Sequence, residues 1–295
     1  MNEFKTYHPI INFIYFLLVI GFSMFFMHPF CLVISLLSAF SYSVVLRGKK
    51  MIKANLKYML PALFLMAVIN PLFNHEGATI LCYLPGGNGV TMESAIYGIA
   101  AAAMIISVIC WFSCYNEIMT SDKFIYLFGK AIPSLSLVIS MTLGFVPKFS
   151  HQFKSAVNAQ KCLGRDVTKG SIIKRVKYGT VILSSVISSA LENAVETADS
   201  MKSRGYGIKG RSAFSIYNFS KRDVKALVFL AALSFYIIAG KLFGAMKFEY
   251  FPCVNQAKIS AYSVSVFASY LLLCNYPLLI EIREVKKWKA LKLKT

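Results

Sequence analysis

Acidic side chains are scarce in this sequence: 13 Asp and Glu stand among 295 residues, against 32 Lys and Arg. Charge of either sign is sparse too, at 15% of residues, while 57% are apolar. A soluble domain of this length needs more polar surface to cover its core, so that class is excluded. Metal-ligand spacing is missing as well. The four histidines (His8, His28, His75, His151) form no ligand pattern, and the seven cysteines are scattered. Cys110 and Cys114 lie one helical turn apart in an apolar run, which suits packing better than ligation. There is no GxxxxGK phosphate loop, which excludes an autonomous ATPase. The long apolar runs hold almost no ionisable groups, which argues against a membrane-embedded enzyme. A non-catalytic chain without cofactor or metal is therefore expected. No small-residue cleavage site follows the polar start Met1–His8, so the first apolar run is expected to remain as a helix.

What the sequence does have is apolar runs long enough for a bilayer, separated by basic connections. The runs are Ile10 to Met27, Phe30 to Leu46, Tyr58 to Phe73, Ser94 to Tyr115, Ala226 to Met246 and Ile259 to Ile280. His28-Pro29 breaks the first from the second. The third is short and carries Pro61 and Pro71, so a kinked or partial span is expected there. LPGGNG (Leu84 to Gly89) reads as turns rather than helix. Gly98 and Ala102 form a small-xxx-small pair that permits close helix packing. The reading is an all-α polytopic membrane protein with about six transmembrane helices and a cytoplasmic helical coupling region. Its divisions are residues 1–115 (spans one to four), 116–225 (cytoplasmic helices) and 226–295 (two further spans and a basic tail).

The basic excess fits this reading better than nucleic-acid binding. With the N-terminus inside, 29 of the 32 Lys and Arg fall in inward segments, and only Lys241, Lys247 and Lys258 fall outside. That is the asymmetry of the positive-inside rule. A multi-pass plasma-membrane protein with both termini cytoplasmic is expected.

Within residues 116–225 one segment stands out, ADSMKSRGYGIKGRS (Ala198 to Ser212). A helix rich in small residues ends in Arg204, and Gly205, Gly207 and Gly210 follow. A glycine-capped helix end with cations near the negative pole of the dipole accounts for most of these residues. It does not account for so long an amphipathic cytoplasmic segment, whose apolar face needs a partner. Glu192, Glu196 and Asp199 fall at i, i+4, i+7, and are expected to pair with cations of a neighbouring helix, Lys154 and Lys161 being candidates.

AxxxxxRGYG from Ala198 to Gly207, followed by Gly210-Arg211-Ser212, resembles the second signature of the energy-coupling factor transmembrane (T) family. That family includes the transmembrane subunits of cobalt and biotin uptake systems. SLSLVISMTLGFVPKF (Ser134 to Phe149), AQKCLGRD (Ala159 to Asp166), NPLFNHEG (Asn70 to Gly77) and YLPGGN (Tyr83 to Asn88) extend the resemblance over nearly the whole chain. It implies a coupling subunit whose cytoplasmic helices each end in an Arg-bearing motif that docks in a groove on one of two ABC ATPase subunits. It also implies a separate substrate-binding membrane S component for a vitamin or metal ion. Carried onto this chain, the docking residues are Arg204 with Gly205 and Arg165 with Gly164, supported by Ala159, Asp166, Ala198, Gly207, Gly210 and Arg211. The first motif departs from the family's AQKARGxD. Leu163 stands at the arginine position and Arg165 two residues on, a shift of about 200° round a helix. Either Arg165 reaches its groove from the turn or Lys161 serves instead, and Arg165 is favoured. The alternative is the permease of a conventional ABC importer, whose coupling loop reads EAAxxxG. Asn158 to Gly164 matches that loosely, but no IxLP follows.

Overall fold

Two His-Pro pairs start the first two helices in the same way. In the computed structural model, which describes residues 3–74, 76–83, 89–129, 133–168, 171–208, 217–256 and 260–292, α1 (Pro9–Phe25) and α2 (Pro29–Arg47) each carry Pro at the first position. The preceding ring, His8 or His28, accepts the backbone N–H of Ile10 or Phe30 at 3.3 Å. Proline has no N–H to leave unpaired there, and the imidazole acts as the cap. After Gly48 the backbone turns directly into α3 (Lys49–Phe73). The basic segment read as a connection is thus largely helical. No Gly or Pro interrupts it before Pro61, and its Lys residues are good helix formers.

A hairpin of β1 (Ile80–Tyr83) and β2 (Gly89–Thr91) leads to α4 (Met92–Ile118), capped by the Thr91 hydroxyl. The expected turn at Leu84 to Asn88 lies outside the described residues. Next come α5 (Ser121–Gly129), α6 (Pro133–Cys162) and α7 (Ile172–Ser203). Ser220 and Asp223 form a reciprocal capping box at the start of α8 (Lys221–Leu242). A short hairpin, β3 (Phe248–Glu249) and β4 (Asn255–Gln256), precedes α9 (Ala261–Cys274) and α10 (Tyr276–Lys292).

Among the described residues, α2, α4 and α8 are long and apolar enough to cross a membrane, and α9 with α10 makes a fourth if that pair, bent by 60°, is one span. Shorter apolar stretches are α1 and Pro61–Phe73 of α3. At 1.5 Å per residue the latter covers about 20 Å, against a hydrocarbon core of about 30 Å. The chain is a mainly helical, multi-pass membrane protein.

The chain divides into two units, Met1–Lys123 with Tyr217–Thr295, and Phe124–Ile216. The first is a bundle around a fully buried Trp111, with Tyr15 and Phe16 packed edge-on to it. The Trp111 ring N–H donates to Ser35 Oγ at 3.0 Å, and Ser35 Oγ lies 2.6 Å from Ser23 Oγ. The Tyr15 hydroxyl donates to the Cys274 carbonyl at 2.9 Å. Polar atoms inside such a bundle need partners, and these bonds tie α1, α2, α4 and α9 together. Glycine permits the closest approaches. A Cβ on Gly98 would stand 3.0 Å from Asn70 Cβ on α3, so the expected small-residue face of α4 does meet a neighbour; one on Gly240 would stand 2.7 Å from Val266 of α9.

The bundle has two distinct ends. At one, the Ala78 N–H donates to the Pro252 carbonyl and joins the loops that carry both hairpins. At the other, Asp223 at the start of α8 accepts the His8 N–H, and Arg47 of α2 pairs with Glu117 of α4 at 2.7 Å.

Candidate functional site

In the second unit, α6 and α7 run antiparallel. Lys148 donates to Asn193 Oδ1 at 2.9 Å, and Gln152 donates to Ser189 Oγ at 3.5 Å. The residue numbers rise on one helix as they fall on the other. The C-terminus of α6 and that of α7 therefore point away from this crossing in opposed directions. Each end lies roughly 15–20 Å along its helix from the crossing.

Both helices stop in the same way. On α6 the Gly164 N–H donates to the Lys161 carbonyl at 3.0 Å and the Arg165 N–H to the Gln160 carbonyl at 3.0 Å. On α7 the Gly205 N–H donates to Lys202 at 2.9 Å and the Tyr206 N–H to Met201 at 3.0 Å. Gly164 and Gly205 have φ of 75° and 74°. This is the Schellman stop, in which a left-handed residue just past the helix lets two N–H groups turn back onto carbonyls the helix leaves open. A side chain at either glycine would meet the left-handed penalty.

Matching the two stops sets their registers side by side. Gly164 corresponds to Gly205, Leu163 to Arg204, and Arg165 to Tyr206. Arg204 is the last half-helical residue of α7. Arg165 leaves from the turn, one residue past the left-handed glycine. Both arginines are exposed, as are Leu163 and Tyr206, neither of which was given a site role from sequence. The signal for them was available: each sits directly beside a stop glycine.

Asp166 shapes the chain after α6. Its carboxylate accepts the Thr168 N–H at 2.9 Å and the Thr168 hydroxyl at 2.7 Å, and lies 3.9 Å from Lys161 Nζ. Lys161 is thus partly matched by an acid, whereas Arg165 has no ion pair among the described residues. Ala159 lies in the last turn of α6, where its carbonyl accepts the Leu163 N–H at 3.3 Å. Ala198 is exposed near the end of α7, and Gly207 continues the turn at φ 94°. Gly210 and Arg211 lie outside the described residues.

One expectation fails. Glu192, Glu196 and Asp199 are exposed, and among the described residues none forms an ion pair with Lys154 or Lys161. The face of α7 that meets α6 is the one carrying Ser189 and Asn193. Helix rotation about that contact turns the acidic stripe outward.

The chain is similar to energy-coupling factor transporter transmembrane proteins EcfT from several bacteria. It is 35% identical to that of Lactobacillus helveticus over 108 residues, covering 36% of this chain and 39% of the relative. For the Bacillus subtilis protein the identity is 32% over 112 residues, 37% of this chain and 42% of the relative. A putative ABC transporter ATP-binding protein of Bifidobacterium longum is 26% identical over 188 residues, 60% of this chain and 24% of that protein. The chain spans about two fifths of the length of the EcfT relatives it matches. No family model matches it. Over its matched third, this chain is similar to the energy-coupling factor transporter transmembrane proteins.

Proposed function

We propose that the chain is the transmembrane coupling subunit of an energy-coupling factor ABC-type importer. In this reading it hydrolyses no ATP itself. It passes motion from two ABC ATPase subunits to a separate substrate-binding membrane S component that takes up a vitamin or a metal ion. The observation that carries the reading is the pair of matched stops. Two exposed helix ends on one hairpin, each a glycine stop with an arginine beside it and facing opposed ways, suit two copies of one kind of groove on two separate subunits. A guanidinium presents a planar fork that fits a carboxylate, and Arg204 is its bearer on α7. On α6 the role falls to Arg165 rather than Lys161, because Asp166 faces the lysine. The exposed apolar side chains of α7, such as Ile187, Leu191 and Val195, supply area for the membrane partner.

The basic end of the bundle is taken as cytoplasmic, and the two hairpins as external. A single cysteine at Gln256 of β4 should then react with an impermeant reagent from outside intact cells, and one at Lys202 should not. The reverse pattern would refute the orientation.

Coupling itself is tested by co-purification with two ABC ATPases from detergent-solubilised membranes. Arg204→Ala removes the fork and leaves its partner charge unmatched, at a cost of about 2–5 kcal/mol. ATPase recovery should fall roughly thirtyfold to several-thousandfold in affinity terms. Arg204→Lys should restore only part of it. Undiminished recovery and uptake with Arg204→Ala would leave the helix end as a structural cap alone.

A further inference from the structure

At the basic end of the bundle a cleft of about 450 Å³ opens between the first turns of α8 and the first turns of α10. Three cations border it, Arg222, Lys225 and Arg283, and no acidic side chain among the described residues lines it. Of the acids close by, Glu281 is buried and absent from the lining. Asp223 is buried in its capping box and Glu284 lies 3.6 Å from Lys287. Arg222 is held in place, its guanidinium 4.2 Å from the centre of the Tyr7 ring and donating to Thr6 Oγ1 at 3.2 Å. Lys225 and Arg283 are exposed and form no ion pair among the described residues. The walls below the cations are apolar: Phe229, Tyr276, Leu279 and Ile280.

The second observation is the course of α10. It departs from α9 at 60°. Leu279, Ile282, Val285 and Trp288 are all exposed along it at three-residue steps, a row that winds back about 60° round the helix with each step. Arg283, Lys286 and Lys287 lie between them. Trp and flanking cations of this kind are the residue types that anchor a helix at the membrane–water interface. A cation cluster above an apolar trough at that depth matches an anionic headgroup with its acyl chains.

We propose that this cleft holds the phosphate-bearing headgroup of an anionic glycerophospholipid from the leaflet at the basic end of the bundle. Arg222 and Arg283 meet the phosphate from either side, Lys225 adds a third charge, and an acyl chain runs along Phe229 and Leu279. The inference rests on the cleft and α10, not on ATPase coupling, so either can fail alone.

The test is native mass spectrometry of the full chain, purified in a neutral detergent and titrated with phosphatidylglycerol or with phosphatidylcholine of the same acyl chains. Phosphatidylglycerol should bind at least tenfold more tightly. Arg283→Gln should weaken it about fivefold, and Lys225→Gln with Arg283→Gln on the order of twentyfold, following the usual worth of a basic residue at an anionic surface. Lys247→Gln, at the opposite end, should change nothing. Arg222 is left intact because it also holds the N-terminal segment. Should the double variant melt early without lipid, Arg283→Gln alone decides. Equal binding of the two lipids, or full binding by Arg283→Gln, would overturn the proposal. So would displacement of the lipid by millimolar inorganic phosphate, which would mark a plain phosphate site.

Discussion

The two units of the chain solve the problem of apolar side chains in opposite ways. The bundle made by residues 1–123 and 217–295 buries Trp111, Tyr15, Tyr42 and Tyr270 completely, and threads Ser23, Ser35 and the Trp111 N–H through them. The unit of residues 124–216 has Ile182 as its one buried apolar side chain among the described residues, yet exposes Ile172, Ile173, Leu183, Leu191 and Val195 on α7 alone. Exposed apolar groups on the bundle, such as Phe73 and Leu242, belong to helices that suit lipid. Those of α7 share their helix with Lys174, Arg175, Lys177, Glu192, Glu196 and Asp199, which suits neither lipid nor water alone. The difference separates a part built to hold itself together from a part left open for other chains.

Four substitutions would break or sharpen that contrast. The largest effect is expected inside the bundle. Trp111→Ala removes a fully buried indole and the donor to Ser35, and should cost about 3–5 kcal/mol. The check is thermal or denaturant unfolding in detergent. A loss under about 1 kcal/mol would mean that the aromatic core is not what holds the bundle.

A smaller effect is expected at the matched stops. Gly205→Ala and Gly164→Ala each place a side chain in the left-handed region, at about 1–2 kcal/mol. At Gly205 the added Cβ would also stand 3.1 Å from Ile208 Cδ1, whereas at Gly164 nothing lies within 4 Å. Gly205→Ala should therefore be the worse of the two. Its signature is faster amide exchange confined to the end of α7, with the bundle's melting unchanged. Equal and negligible effects on local exchange would refute the strained-stop account.

The smallest effect on stability is expected at Leu191→Ser, on the open face of α7. The lone chain should change by no more than about 0.5 kcal/mol, as surface sites do. Recovery of the membrane partner should nevertheless drop. A clear destabilisation of the lone chain would show that this face is covered from within.

Much of this was legible from residue order because its causes are local. His-Pro breaks, apolar runs and stop glycines act within a few residues, so α1, α2, α4 and α8 and the glycine-stopped end of α7 follow from hydropathy and capping, whereas the end of α6 was marked only by the family resemblance. The third run was correctly expected to be short. Its basic lead-in being helical was missed, because charge marked Arg47 to Lys57 as a connection, although Lys favours helix once Gly48 has ended α2. The acidic stripe was assigned partners from spacing alone. Spacing places three carboxylates on one face but does not say which face meets the neighbour.

By itself, then, the sequence determined a mainly helical membrane chain, a basic bias toward one set of connections, and a glycine-stopped helix ending in Arg204. Tertiary structure decided how those pieces bear on one another. It set Arg165 and Arg204 at unlike positions on matched stops, and it sent the two stops in opposed directions through the contacts of Lys148 and Gln152 with α7. It also bent α10 by 60° from α9, bringing Arg283 to the cleft bordered by Arg222 and Lys225. The physical reason is range. A cap or a hydrophobic run is settled within a turn or two of helix. The facing of one helix against another depends on side chains far apart in sequence, and only the packed chain compares them.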